Sequence, residues 1–144
     1  MKTVLALVAT VILGSTCSNK KQSDLENTVI EYTANTRGFY QKITVVNQEL
    51  SVSKDRNETE KPTTTPISDA DWKELVTDFQ TIELDKVETL KAPSEKRFHD
   101  GAAMANLKIV HKEKTYQSKT FDHGTPPKEI EKLVKKINAL AEAN

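Results

Sequence analysis

Cysteine is nearly absent from this 144-residue chain, which contains only Cys17. A single cysteine cannot form an internal disulfide bond, so a disulfide framework is excluded. Net charge is absent too, because 21 basic residues balance 21 acidic ones. A neutral chain lacks the strong field that attracts nucleic acid or an anionic membrane surface, and we expect no nucleic-acid partner.

Motifs of catalysis are missing as well. The chain has four glycines, and none belongs to a glycine-rich loop that would bind phosphate. No serine lies in a nucleophile elbow, and the carboxylates, in a chain that is 29% charged, show no marked spacing. The sequence therefore predicts a protein that is not an enzyme and needs no cofactor.

The long apolar run of the chain covers residues 4–13 and follows Lys2. Residues 14–16 are small, and no acidic residue precedes Asp24. This layout is typical of a secretory signal peptide, and the run is shorter than the 20 or so residues that span a bilayer. The alternative, a buried helix, would need more apolar surroundings than this polar chain offers. We therefore expect residues 1–16 to be removed.

The cysteine lies directly after the small residues, and residues 13–17, LGSTC, resemble a bacterial lipobox. This resemblance implies that mature Cys17 carries a diacylglyceryl thioether and an amide-linked acyl chain such as palmitate. One acyl chain binds a membrane weakly, whereas two or more anchor a protein firmly. Ser18 replaces the aspartate that signals inner-membrane retention, so the resemblance favours the outer membrane. It implies a lipid-anchored protein of the bacterial cell envelope, with its domain outside the cytoplasm.

The mature chain divides into a short tether and one domain. Residues 18–27 are polar, with one aliphatic residue, so we expect a flexible tether over 17–27. Residues 28–144 are enough for a single domain with one core. Within them, residues 56–66 contain no apolar side chain except proline and predict a polar loop or a mobile insertion.

Alternation of apolar and polar residues predicts strands over 28–35, 39–46, 50–55, 103–110 and 115–121. The first three form a meander in which Gly38 supplies a tight turn. The last two form a strand pair.

Two helices are predicted, one after Ser68 and one after Thr125. Ser68 and Asp71 have the spacing of a capping box, and Pro126 and Pro127 occupy the first turn of the second helix. The fold class is therefore α+β, an antiparallel sheet of about five strands with two helices packed on one face. The predicted core consists of Trp72, Leu75, Phe79, Leu107, Ile109, Phe121, Ile130, Leu133, Val134 and Ile137.

One group of residues is a candidate metal site. The segments FHDG at 98–101 and FDHG at 121–124 flank the last strand pair and contain His99, Asp100, Asp122 and His123. Imidazole and carboxylate are ligands of Zn²⁺ and similar cations. Alternatively these dipeptides form turns, with Phe98 and Phe121 as core anchors and Asp122 as a cap.

The order of features in the domain also resembles the emfourin family, small inhibitors of secreted thermolysin-type metalloproteases. The resemblance covers roughly residues 28–140, and the polar insertion at 56–66 and the lipid anchor depart from it. Its residues are Arg37-Gly38-Phe39, Leu75, Phe79, Asp100-Gly101, LKIV at 107–110, Tyr116, Asp122, Pro126-Pro127 and Leu133-Val134. The sequence thus predicts a lipid-anchored, non-catalytic binding domain with an unknown envelope protein as partner. A metalloprotease-inhibitor-like protein and a metal-binding protein are the alternatives.

Overall fold

The computed structural model describes residues 25–144. The predicted signal peptide, the candidate lipidation site Cys17 and residues 18–24 of the predicted tether lie outside this range. Leu25 is buried at 1% exposure, and its carbonyl accepts a hydrogen bond from the Thr28 amide at 3.1 Å. The packed domain therefore includes residues 25–27, which the sequence assigns to the tether.

The fold is α+β, as predicted, and every strand pairing in its sheet is antiparallel. The strands are β1 (Val29–Thr36), β2 (Phe39–Val46), β3 (Glu49–Ser53), β4 (Thr63–Pro66), β5 (Met104–His111), β6 (Lys114–Gln117) and β7 (Phe121–Asp122). Their order is β4-β3-β2-β1-β5-β6, with β7 also paired to β5. The helices are α1 (Asp69–Gln80) and α2 (Glu131–Glu142), and two 3₁₀ helices cover Leu84–Thr89 and Lys96–His99.

The prediction that residues 56–66 form a loop is wrong for the last four of them. Residues 63–66 form β4, which pairs with β3 at the edge of the sheet. The threonines of β4 suit an exposed edge strand because they favour extended backbone without adding apolar surface. The loop itself is therefore limited to the residues that precede Thr63.

The strand predicted over 115–121 is divided in two by a bulge. Between β6 and β7 the pairing with β5 shifts by one residue, and Ser118 lies at the shift. The Ser118 amide donates to the Leu107 carbonyl at 2.8 Å, and the Ser118 hydroxyl accepts from the Leu107 amide at 2.9 Å. The extra residue places Phe121 opposite Ala105, on the face of the sheet that is buried.

The core lies between one face of the sheet and the two helices. On β1 the alternate residues Ile30, Tyr32 and Ala34 are buried, and Tyr32 lies opposite Ile43 of β2 and Leu107 of β5. Burial of such side chains is the main favourable contribution to folding. Every predicted core residue is at most 5% exposed: Trp72, Leu75, Phe79, Leu107, Ile109, Phe121, Ile130, Leu133, Val134 and Ile137.

The two helices are joined by charge as well as by apolar contact. Helix α1 follows Ser68, whose hydroxyl oxygen accepts a hydrogen bond from the Asp71 amide at 3.2 Å. Lys136 of α2 contacts Asp71 at 2.6 Å and Glu74 at 2.5 Å. This cation therefore bridges α2 to the first turns of α1.

Helix α2 begins later than predicted. Pro126 and Pro127 are buried but lie before the helix, and a turn follows in which the Ile130 amide donates to the Pro127 carbonyl at 3.1 Å. A residue that precedes proline is disfavoured in helical conformation, so Pro127 prevents Pro126 from opening a helix. The first regular helical residue is Glu131.

Candidate functional site

The predicted metal ligand Asp122 is fully used by hydrogen bonds inside the protein. Its Oδ2 accepts from the Ser94 hydroxyl at 2.6 Å and the Lys96 amide at 2.8 Å. Its Oδ1 accepts from the amide and Nη1 of Arg97, at 3.0 Å and 3.1 Å. Burial alone raises the pKa of a carboxyl group, but these hydrogen bonds outweigh it and hold the pKa of Asp122 well below its usual range.

His123 is half-buried and is directed at a core tyrosine. Its Nδ1 lies 2.7 Å from the hydroxyl oxygen of Tyr32, and its ring lies 5.6 Å from that of Phe39. Burial raises the pKa of Tyr32, so the phenol remains protonated, and it donates to Nδ1 in the tautomer that has its ring proton on Nε2. Burial also lowers the pKa of His123, which favours the neutral imidazole that this bond requires.

His99 and Asp100 remain at the surface, at the end of the second 3₁₀ helix. Asp100 has a left-handed backbone conformation (φ 56°), and the next amide, that of Gly101, donates to the Lys96 carbonyl at 2.8 Å. Within residues 25–144 no three histidine, cysteine, aspartate or glutamate side chains are grouped so that they could hold a metal ion. The predicted metal site is therefore not assembled, and the segments form turns and a buried cap.

Of the two phenylalanines in these segments, Phe121 is buried and Phe98 is not. Phe98 is 63% exposed, so its predicted role as a core anchor is wrong. The guanidinium carbon of Arg97 lies 4.3 Å from the centroid of the Phe98 ring, close enough for a cation–π contact. The hydrogen bonds to Asp122 thus hold Arg97 in place, and the exposed ring of Phe98 packs against its guanidinium group.

A cleft of about 750 Å³ lies beside this segment, at the end of the sheet where β1 turns into β2. We call it the arginine cleft. It is lined by Asn35, Thr36, Arg37, Arg56, Arg97, Asp100, Ala102 and Met104.

The three arginines of the cleft differ in how they are held. The side chain of Arg97 is 7% exposed, and its charge is balanced by Asp122. The Nη2 of Arg56 donates to the backbone carbonyls of Thr36 at 2.8 Å and Phe39 at 3.3 Å. The exposed side chain of Arg37 forms no hydrogen bond or ion pair with the rest of residues 25–144. Arg37 and Arg56 therefore present guanidinium groups that form no ion pair with a carboxylate in this range.

The loop that carries Arg56 is ordered by the residue before it. One Asp55 oxygen accepts from the Asn57 amide at 2.9 Å, and the other accepts from the Thr59 amide and hydroxyl and the Glu60 amide. These bonds, with that from the Thr59 hydroxyl the largest contribution, lower the pKa of Asp55 to about 2. The segment that the sequence reads as a polar loop or mobile insertion is thus a defined turn, and it positions Arg56.

Exposed apolar side chains surround the same end of the sheet. Phe39, Phe98 and Met104 are 38%, 63% and 44% exposed, and they are the large hydrophobic residues that stand out as exposed within residues 25–144. Met104 lines the cleft, Phe98 contacts Arg97, and Phe39 follows the turn that contains Arg37. The combination of unpaired arginine and exposed aromatic surface is typical of a binding site.

The arginines of this cleft were not predicted as site residues, because they are far apart in the sequence. The only signals were Arg37 and Asp100, which belong to the motifs of the family resemblance. Chemically, the arrangement can bind an anionic group by paired N–H donors.

No model of a known protein family matches this chain, and no curated protein matches its sequence. No helix within residues 25–144 is long and apolar enough to cross a membrane.

Proposed function

We propose that this protein is a lipid-anchored protein of the bacterial cell envelope whose domain is a non-catalytic binding module. The observation that carries the binding role is the arginine cleft, in which Arg37 and Arg56 form no ion pair within residues 25–144 and exposed apolar side chains lie alongside. An arginine and an aromatic residue at one surface site are common determinants of protein binding. The partner is an envelope protein, and no nucleic acid is involved.

The anchoring part of the proposal depends on Cys17. The apolar run and the small residues before it support export and cleavage, and the cysteine supplies the thiol for the thioether. Because two or more acyl chains hold a protein firmly, the domain would stay at the membrane surface. Ser18, in place of the aspartate that signals inner-membrane retention, favours the outer membrane.

Replacement of the cysteine tests the anchor. In cells labelled with a fatty-acid analogue, the wild type and a Ser18→Ala control should incorporate label and fractionate with membranes. Cys17→Ser should incorporate no label and should leave a soluble protein or an uncleaved precursor, because a hydroxyl cannot replace the thiol in forming the thioether. Label and membrane association that persist in Cys17→Ser would contradict the lipoprotein proposal.

A metalloprotease-inhibitor-like activity is the second candidate. It is favoured by one observation: Arg37 and Asp100, which belong to the motifs of the emfourin resemblance, line the same cleft although they are distant in the chain. A thermolysin-type protease assayed with the purified protein tests this. Inhibition that weakens in Arg37→Gln would support it, and no inhibition at a large molar excess would reject it.

A further inference from the structure

We propose that the arginine cleft binds an acidic peptide segment of a partner protein, with a carboxylate on Arg37 and Arg56 and an apolar side chain on Phe98 and Met104. This inference rests on the proposed binding role of the domain and names the chemistry of the partner. A membrane headgroup and a free phosphate are treated as competing outcomes of the test.

The N–H donors of the cleft indicate that the group it binds is a carboxylate. A guanidinium group is planar and presents paired N–H donors that match the two oxygens of a carboxylate. One nitrogen of Arg56, Nη2, is used by the Thr36 and Phe39 carbonyls, which hold the group in place against the β1–β2 turn. Because Arg56 is already ordered, binding costs less side-chain entropy than it would with a free arginine.

The exposed apolar surface beside the arginines indicates that the ligand is a peptide and not a small anion. A small anion would use the arginines and leave Phe98 and Met104 exposed to water, at 63% and 44%. A segment that carries both carboxylate and apolar side chains would satisfy the arginines and cover that surface. The cleft of about 750 Å³ is within the 300–1,000 Å³ that binding pockets usually have.

Asp100 limits which segments bind. It is the one acidic residue among those lining the cleft, and its exposed carboxylate forms no ion pair within residues 25–144. Its negative charge repels any peptide carboxylate that does not lie against Arg37 and Arg56. Removal of this charge should therefore strengthen binding, whereas removal of an arginine should weaken it.

The test uses the mature acylated protein in detergent and a fluorescein-labelled heptapeptide of alternating glutamate and leucine. Fluorescence anisotropy should show saturable binding. A matched peptide with glutamine in place of glutamate, and another with serine in place of leucine, should bind more weakly. Arg37→Gln should weaken binding about threefold to tenfold, and Asp100→Asn should strengthen it. Lys128→Gln, which makes the same charge change at an exposed position outside the cleft, should have no effect.

Three results would overturn the proposal. One is equal binding by wild type and Arg37→Gln. Another is equal binding of the glutamate and glutamine peptides. The third is displacement of the peptide by inorganic phosphate, or by phosphatidylglycerol but not phosphatidylcholine added to the micelles, which would identify a phosphate group as the ligand. None of these results bears on acylation of Cys17, so this inference and the anchoring proposal fail separately.

Discussion

Asp122 offers the sharpest test of how the arginine cleft is built. The substitution Asp122→Asn keeps the size of the side chain but removes the charge that balances Arg97, whose side chain is only 7% exposed. It also replaces an acceptor oxygen with an amide group, so some of the donors from Ser94, Lys96 and Arg97 lose their partner. Removal of one member of a buried ion pair typically costs about 3–5 kcal/mol.

That cost is large relative to the stability of a domain of this size, which is about 5–15 kcal/mol. With an unfolding entropy of about 0.25 kcal/mol per kelvin, the melting temperature should fall by about 12–20 °C. Urea titration followed by tryptophan fluorescence should show a lower midpoint with an unchanged slope. Asp100→Asn is the matched control, because Asp100 is exposed without an ion pair in residues 25–144, and its effect should be within about 0.5 kcal/mol.

The pH dependence provides a second measurement. The pKa of Asp122 is lowered in the folded protein, so its contribution is present above the unfolded pKa of about 3.9 and is lost as pH falls through the folded value. The stability difference between wild type and Asp122→Asn should therefore be greatest near neutral pH and should narrow below about pH 4. A neutral replacement of both partners, Asp122→Asn with Arg97→Met, should recover part of the loss.

The reasoning would be refuted by a variant whose stability at pH 7 lies within about 1 kcal/mol of wild type. A difference that stays constant down to acid pH would refute the electrostatic part alone, because it would show that packing and not charge is lost.

Two other predictions concern the core. Trp72→Ala should destabilise the domain by about 3–5 kcal/mol in a urea titration followed by circular dichroism, because Trp72 is 4% exposed, and an unchanged midpoint would contradict its burial. Tyr32→Phe should cost about 0.5–1.5 kcal/mol through loss of its bond to His123. Burial lowers the pKa of His123, so the stability associated with this residue is complete above the unfolded value of about 6.5 and falls as pH decreases below it. An NMR titration that gives His123 a pKa at or above that value would contradict this reasoning.

The general architecture could be predicted from the sequence because its signals are local. Residues 29–36 and 39–46 alternate in hydrophobicity, which a strand requires if one face is buried. Gly38 has a φ of 83°, the conformation that makes glycine useful in a tight turn. Each of these patterns is complete within a few residues, so no knowledge of distant contacts is needed.

Other features could not be predicted because they have no local signal. The turns at 47–48 and 112–113 lie between predicted strands, but nothing in the sequence indicates that Asn47, Gln48, Lys112 and Glu113 adopt positive φ, since none is glycine. The register shift near Ser118 also could not be predicted. Nothing in the sequence indicates that the serine hydroxyl, in place of a backbone carbonyl, accepts the hydrogen bond of the Leu107 amide. Such features are tolerated only because the surrounding pairing of strands outweighs their cost.

The sequence by itself determined the neutral charge, the single cysteine at a lipobox-like position, and the alternation that places an α+β core. Only the tertiary structure decided that His99 lies at the surface whereas Asp122 is buried and bound to Arg97. It also decided that Arg37, Arg56 and Arg97 line one cleft. The physical reason is that periodicity reports which face of an element is buried, whereas the convergence of side chains from distant elements depends on strand order, register and the bulge between β6 and β7.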